Sequence, residues 1–466
     1  MAAKSKSAKK KQVLKLVQSR EERRAQGKAL RDKVPRRSHA GWKASSKRRD
    51  PVDILLKSCE GRIPRLIPIR FGRMMQTPFT FYRGAAVIMA ADLARTPVSG
   101  IRVQTCGDCH LLNFGAFASP ERRIIFDIND FDETLPAPWE WDVKRLATSF
   151  VIASRHNKFK ERDARASAIR CVESYREHMA ELSDMRVLSR WYLHIDLDEL
   201  IAEIGDAKAK KRVEKRLAKV RARNVMEQDF PKLTTMNGNK PTIKDNPPLI
   251  YHAPDWTDAK FEKEVQKAFE SYRETLNDDH KILLDHYKIQ DLAVKVVGVG
   301  SVGTRCAILL LMADNDDPLF LQVKEARTSV LEPYAGKSSY ANRGQRIVAG
   351  QRLMQSASDI FLGWAVGPDG NHFYVRQLWD GKIKPVVEIY DEDWMLEYAD
   401  ACGQVLARAH ANSADPAMIS GYLGGTGRFD RAVADFAVAY ADQNEADHAA
   451  FLKAIRNGKI EVYQER

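Results

Sequence analysis

Apolar residues are sparse over the first 50 positions of this 466-residue chain, which are polar and basic apart from an amphipathic piece at Val13, Leu14, Leu16 and Val17. Globular patterning begins at Asp50-Pro51. Over 51–100 the apolar positions recur at helical spacing, with a helix expected over 85–93 between Pro78 and Pro97. The period then shortens. β-branched runs at 101–103 and 124–128 alternate with clusters of Gly, Asp and Asn, as strands and loops do. Helical spacing returns over 139–230, and 231–255 (Asn237-Gly238, Pro241, Pro247-Pro248) reads as a loop. A further helical segment ends near Tyr287. Three successive strands are expected over 292–299, 306–312 and 319–323. A helix follows over 345–361, with Ile347, Val348, Met354, Ile360 and Phe361 on or near one face, then strand-like sequence over 372–390 and helices over 393–466. No internal repeat is visible. The pattern predicts an α+β protein.

Composition narrows the class. An apolar fraction of 44% and a charged fraction of 29% are those of an ordinary globular protein. No run approaches the about 18 apolar residues that span a bilayer. The basic N-terminus lacks the apolar core of a secretory signal, so the expected location is the cytoplasm. Six scattered cysteines, with Cys106 and Cys109 as the one close pair, fit a reducing compartment.

The formal charge of +13 looks like a nucleic-acid signal until it is located. Residues 1–50 carry 18 Lys and Arg against 4 Asp and Glu, whereas the remaining 416 residues balance to −1. The basicity therefore belongs to a leading arm, expected to be disordered over 1–27. Such an arm is a solvated terminus, or makes weak contact with RNA, DNA or anionic lipid. A second basic stretch over 207–224, including Lys208, Lys210, Lys211 and Arg212, reads as a solvated helix face or a phosphate- or partner-binding one.

The densest chemistry is Gly107-Asp108-Cys109-His110-Leu111-Leu112-Asn113, then Asp127-Ile128-Asn129-Asp130-Phe131-Asp132, then Trp141-Asp142-Val143-Lys144-Arg145-Leu146-Ala147. Phosphoryl transfer needs a carboxylate to orient or deprotonate the acceptor, and oxygen ligands for Mg²⁺ at the phosphates. Asp108 would be the base; Asn113 and Asp130 would hold metal, with Asp132 and Asp127 as second-line ligands. The bland alternative is an acidic strand-loop region that binds a divalent ion structurally or merely turns the chain. Cys106-Gly107-Asp108-Cys109-His110 also fits a haem-attachment pattern, but that chemistry implies export. The two thiols read as small packing residues.

These three pieces resemble the aminoglycoside phosphotransferase and choline kinase branch of the protein-kinase-like superfamily: G-D-x-H-x-x-N, a strand ending D-F-x, then W-D-x-x-R-L-A. The resemblance implies that Asp142 braces the catalytic loop and that His110 is a supporting residue. Farther on, Gly298-Val299-Gly300-Ser301-Val302-Gly303 precedes a strand rather than a helix, which argues against a dinucleotide fold and for a kinase phosphate loop. Gly298, Gly300 and Gly303 would then cradle phosphates, and Lys324, ending the third strand, would contact them. A plain hairpin with an edge lysine is the alternative. The superfamily pattern expects a Glu on the next helix to pair with that lysine. None is present there, leaving Gln351, Gln355, Glu325 or Glu332 as substitutes.

The order is also inverted, since the catalytic loop precedes the glycine loop. The resemblance therefore implies a two-lobe kinase-like fold in circularly permuted order: a helical catalytic lobe over 28–288, an antiparallel nucleotide lobe over 289–390, and C-terminal helices over 391–466 returning to the first lobe. From about 28 to 455 the chain also resembles the bacterial family called domain of unknown function 2252, through Pro35-Arg36-Arg37, Pro78-Phe79-Thr80-Phe81-Tyr82-Arg83-Gly84, Gly350-Gln351-Arg352 and Tyr440-Ala441-Asp442-Gln443. The expected activity is an ATP- and Mg²⁺-dependent phosphotransferase, or a nucleotidyltransferase, on a small-molecule or protein acceptor, with Arg83 as an anion contact. The alternatives are a non-catalytic nucleotide-binding regulator and a nucleic-acid adaptor using the arm. A nicotinamide oxidoreductase is the remaining reading, disfavoured because the glycines open no helix.

Overall fold

Helix Trp139–His156 is buried along nearly its whole length, from Trp139 to Ser154, because other helices surround it. Glu161–Asp184, Glu392–Ser413 and Arg428–Arg456 pack around it, the first also against the other two, the condition under which a helix carries no solvent face. Small residues set the spacing. A Cβ on Gly403 would lie 2.3 Å from the carbonyl oxygen of Cys171, so the helix of 392–413 crosses that of 161–184 at backbone distance. The computed structural model describes residues 18–203, 210–211, 230–238, 240–254, 259–378 and 383–464.

Against this helical body stands a six-stranded antiparallel sheet. Its spatial order is Gly363–Val366, His372–Gln377, Pro318–Glu325, Cys306–Met312, Lys288–Lys295 and Ile250–Tyr251. The glycine run forms the turn between Lys288–Lys295 and Cys306–Met312 and opens no helix. Helix Arg343–Met354 follows the lysine strand and packs on the sheet's far strands and on Arg102–Thr105. Two short hairpin pairings, Phe114–Ala118 with Ile124–Ile128 and Arg102–Thr105 with Leu135–Pro138, hold the first-half motifs between them. The protein is thus a mixed helical and antiparallel-strand structure, as the periodicity predicted.

Several expectations are corrected. The arm ends earlier than residue 27: helix Arg20–Lys33 is closed by a capping box between Ser19 and Glu22. It docks on Pro416–Leu423 through paired glycines, since a Cβ on Gly27 would meet Met418 O at 2.0 Å and one on Gly421 would meet Arg24 O at 2.2 Å. Residues 1–17 lie outside the described residues, as does the basic stretch over 207–224 except Lys210 and Lys211. The helix expected over 345–361 stops at Met354, where Gln355 turns extended and Ser356 bonds Asp127 instead. Among the described residues of 372–390 the strand is His372–Gln377, with an isolated bridge from Ile383 to Ala116, and the helices expected over 393–466 are three. The sheet also recruits sequence placed with the helical lobe. Ile250–Tyr251 is its edge strand, and Tyr272, Leu276 and Leu284 pack on Leu309, Leu311 and Leu319. Among the described residues no helix is long and apolar enough to cross a membrane.

Candidate active site

The loop after Arg102–Thr105 must turn sharply, and Gly107 allows it. Its φ is +83°, and a Cβ there would lie 2.4 Å from Glu133 O. Asp142, in the first turn of the central helix, accepts the backbone N–H of Cys106 at 2.7 Å and of Gly107 at 3.1 Å, and lies 3.3 Å from His410 Nε2. The amide of Asn113 donates to the carbonyl of Asp108 at 2.6 Å, closing the loop from the other side. The carboxylate of Asp108 is therefore displayed on a braced backbone. It is not free: Arg145 donates to Oδ1 through Nε at 2.8 Å and through Nη2, while its guanidinium lies over the Tyr82 ring. His110 is buried, and desolvation pushes its pKa down to about 3, so it stays neutral.

The three aspartates of the second piece separate into different environments. Asp127 is fully buried and bonds Arg408 at 2.8 Å, Ser356 N and Oγ at 2.8 Å each, and its neighbour Ile128 N at 2.8 Å. Those bonds use its acceptor capacity internally, so the second-line metal role is corrected: Asp127 ties helix to hairpin. Among the described residues Asp130 has no basic partner at ion-pair distance; burial, then the nearby Asp132 charge, raise its pKa against the opposing pull of Lys324 and Arg376. Asp132 accepts Lys324 Nζ at 2.8 Å, the Ser301 hydroxyl at 3.0 Å and the Tyr374 hydroxyl. Burial opposes its charge, but Lys324 and Tyr374 hold it below the usual carboxylate range.

Lys324 owes its position to register. It pairs across the sheet with Cys306 and Tyr374 near the open end of the strands, beneath the glycine turn. Desolvation disfavours its charge, yet Asp130 and Asp132 raise its pKa well above the ordinary lysine value. Its partner comes from neither the following helix nor the expected substitutes. Gln351 bonds Gln355, which reaches Ile128 O; Glu325 pairs with Arg305. On that helix Arg346 instead donates to the carbonyls of Asp132, Thr134 and Arg327.

The glycine turn is held from the N-terminal side. Gly298 and Gly303 have φ of +68° and +89°. Ile63 N donates to Gly303 O at 2.7 Å, Arg62 to Val302 O at 2.6 Å and Arg73 to Gly298 O at 2.5 Å. Val299 packs with Phe71 and Ile88, and Val302 with Leu66 and Ile69. A Cβ on Gly300 would approach Arg83 O at 3.3 Å.

One polar cleft of about 140 Å³ gathers Asp108, Asn113, Asp130, Asp132, Gly298 and Gly300. Arg83 and His110 also line it, and Lys324 reaches it through Asp132. Gly303 sits behind the loop against Arg62, and Asp142 supports from beneath. Residues the sequence reading missed are Arg62, Arg70, Arg145, Arg327, Ser301 and Tyr374. Ser301 and Arg145 stood inside the quoted motifs, but nothing in the pattern of the others marks them. The hard oxygen donors fit Mg²⁺: Asp130 feels Lys324 and Arg376 but forms no ion pair among the described residues, and Asn113 bonds through its nitrogen, leaving Oδ1 as a donor. Elsewhere, among the described residues, Cys106, Cys109 and Asp142 bring ligand-type atoms within 4.8 Å of one another. Burial pushes Cys109 up to about 12 and Cys106 well above the thiol range, and both Asp142 oxygens hold backbone amides. This trio is packing and bracing.

No curated protein and no solved structure gave a significant match. A family model described as an uncharacterized protein conserved in bacteria, DUF2252, matches residues 62–454. That span takes in every cleft residue named above and leaves out only the two ends of the chain, so the chain belongs to this DUF2252 family.

Proposed function

We propose that the protein is an ATP- and Mg²⁺-dependent phosphotransferase of kinase-like, permuted organisation. The observation that carries the reading is the Ser301–Asp132–Lys324 junction. A residue of the glycine turn, the lysine of the third strand of the β-meander and the D-F-D segment meet on one carboxylate, although Asp132 and Lys324 are 192 residues apart. Asp108, Asn113 and Asp130 stand in the same cleft. A glycine turn between two antiparallel strands, a lysine on the next strand and a helix after it are the parts that bind nucleotide phosphates in kinases. Asp132 takes the place of the absent helix Glu as the anion that positions Lys324.

In this reading the acceptor hydroxyl stands at Asp108, oriented by the braced loop. Its oxygen forms a bond to the γ-phosphorus as the bond from that phosphorus to the β,γ-bridging oxygen breaks. The hydroxyl proton passes to Asp108, and ADP leaves. Lys324 and the N–H groups of the glycine turn hold the phosphate oxygens. Bound at Asn113 and Asp130, Mg²⁺ would supply charge neutralisation across the β- and γ-phosphates.

Incubation with γ-labelled and α-labelled ATP, Mg²⁺ and cell extract tests this. Transfer of γ label is expected. Transfer of α label would replace the reading by nucleotidyl transfer. A second reading, nucleotide binding without catalysis, is favoured by the Arg145 clamp on Asp108, and it predicts ATP·Mg²⁺ binding with neither label moved.

A further inference from the structure

Four guanidinium groups converge on the cleft without a carboxylate of their own. Arg62, Arg70, Arg83 and Arg327 all line it. Arg62 donates to the carbonyls of Ser58 and Val302, Arg327 to those of Ser58 and Glu60, and Arg70 to Gly84 O and the Cys59 sulfur. Arg83 makes no side-chain hydrogen bond, and its buried Nε has no partner, as is also true of Arg70 Nε. Three of the nearby acids are paired elsewhere, Asp108 with Arg145, Asp132 with Lys324 and Glu325 with Arg305, while Asp130 and Glu388 stand near the cluster without forming an ion pair among the described residues. Glu133 takes Val330 N, and burial raises its pKa.

A buried guanidinium without a counter-ion is costly, and a cluster of them is more so. The mutual repulsion is visible at Arg62, which burial first, then Arg70 and Arg327, lower to about 9. The forked donors of arginine match phosphate geometry. The glycine turn, Lys324 and the metal oxygens already provide for the nucleotide's phosphates. Arg83 lines the same cleft within electrostatic reach of Asp108, where the acceptor would stand, while only its backbone carbonyl approaches Gly300 of the turn.

We infer that the cleft has a second anion subsite, built by Arg83 with Arg62 and Arg327, and that the acceptor is a small molecule carrying a phosphate group besides its reacting hydroxyl. The acceptor part rests on the phosphotransferase reading; the anion subsite does not.

Calorimetry on the full chain tests it, with inorganic phosphate as probe and the non-hydrolysable analogue AMP-PNP with Mg²⁺ as nucleotide. Phosphate should bind the protein both alone and after saturation with AMP-PNP·Mg²⁺. Arg83→Gln should weaken phosphate binding at least about tenfold while changing AMP-PNP affinity less than about threefold, with Arg83→Lys intermediate. If Arg83→Gln fails to fold by circular dichroism, Arg327→Gln carries the same comparison. Mutually exclusive binding of phosphate and AMP-PNP would overturn the inference, assigning the arginines to the nucleotide's own tail. Absence of phosphate binding to folded wild type would overturn it outright. Arginine-dependent phosphate binding without any AMP-PNP binding would keep the subsite and remove the transferase reading.

Discussion

At the scale of single residues, Asp132 is the point where sequence and structure diverge most usefully. The sequence marks it only as a second-line metal ligand behind Asp130, because the pattern shows two carboxylates flanking Phe131 and no partner for either. Register separates them. Lys324 and Tyr374 are opposite each other on adjacent strands, and both reach Asp132. The carboxylate that pairs with Lys324 could not have been found from sequence, since it lies in a different motif nearly 200 residues away. Three outcomes follow from the assigned roles. Asp108→Asn should remove turnover while sparing most ATP affinity, and Asp130→Ala should weaken Mg²⁺-dependent binding. Asp132→Asn and Lys324→Ala should each weaken ATP·Mg²⁺ binding, and their double mutant should be less than additive by about 0.5–3 kcal/mol in calorimetric binding energy, because the two side chains act as one unit. Strict additivity would separate them.

A different residue-scale effect concerns pH. His39 is fully buried beside Tyr422, and desolvation, then Lys144, push its pKa to about 3. The unfolded chain takes up this proton near pH 6.5, whereas the folded chain does so only near 3. The folded state is therefore favoured above 6.5 and loses that advantage as pH falls through the interval to 3. His39→Gln should flatten the decline of unfolding free energy between pH 6.5 and 4, whatever it does to stability at neutral pH. An unchanged slope in denaturant titrations would show that His39 charges in the folded protein.

At the scale of elements, strands and long helices were legible and their limits were not. The three strands around the glycine run are visible because continuous apolar runs are broken by Gly and Asp clusters, and the structure places them within a few residues. The helix expected over 345–361 was overdrawn because Ile360 and Phe361 continue its apolar face. Asp127 and Ile128 capture Ser356 and Gln355 first, and that competition is tertiary. Glycines inside helices tell a similar story, reading as weak points until their neighbours are known. Gly421 sits where a Cβ would fall 2.2 Å from the backbone oxygen of Arg24. Gly421→Ala should push helix Arg20–Lys33 off its seat. We expect a lower Tm and faster proteolysis near residues 19–33, with AMP-PNP binding unchanged because neither helix contributes a residue to the cleft lining. Loss of binding in a folded variant would join the two regions.

At the scale of the whole molecule, the helical body and the antiparallel sheet were both foreseen, while the division between them was not, because the sheet's outer helix and edge strand precede the strands that carry its motifs. The ends of the chain were misjudged in a similar way. Composition alone merges residues 1–50 into one basic arm. The structure distinguishes a docked part: Arg23 pairs with Asp415 at 3.2 Å, Arg31 bonds Tyr422 O at 2.8 Å, and Arg36 reaches Leu423 O at 2.5 Å. Basic residues here satisfy the carbonyls that end helix Pro416–Leu423, a use that charge counting cannot tell from nucleic-acid binding. Two truncations separate the cases. Removing residues 1–17 takes away six lysines and no acid, so it should leave Tm and AMP-PNP affinity unchanged while abolishing any salt-sensitive retention on DNA or RNA. Removing residues 1–33 also strips Arg23 and Arg31 from 416–423, leaving Arg36 on Leu423 O, and exposes the glycine seat. With an unfolding entropy of about 2.1 cal/mol/K per residue, each ~1 kcal/mol lost shifts Tm by about 1 °C in a chain of this length, so a drop of a few degrees is expected. Equal Tm for the two truncations would mean that the docked helix contributes no stability, and nucleic-acid retention surviving the shorter deletion would move that activity into the body of the protein.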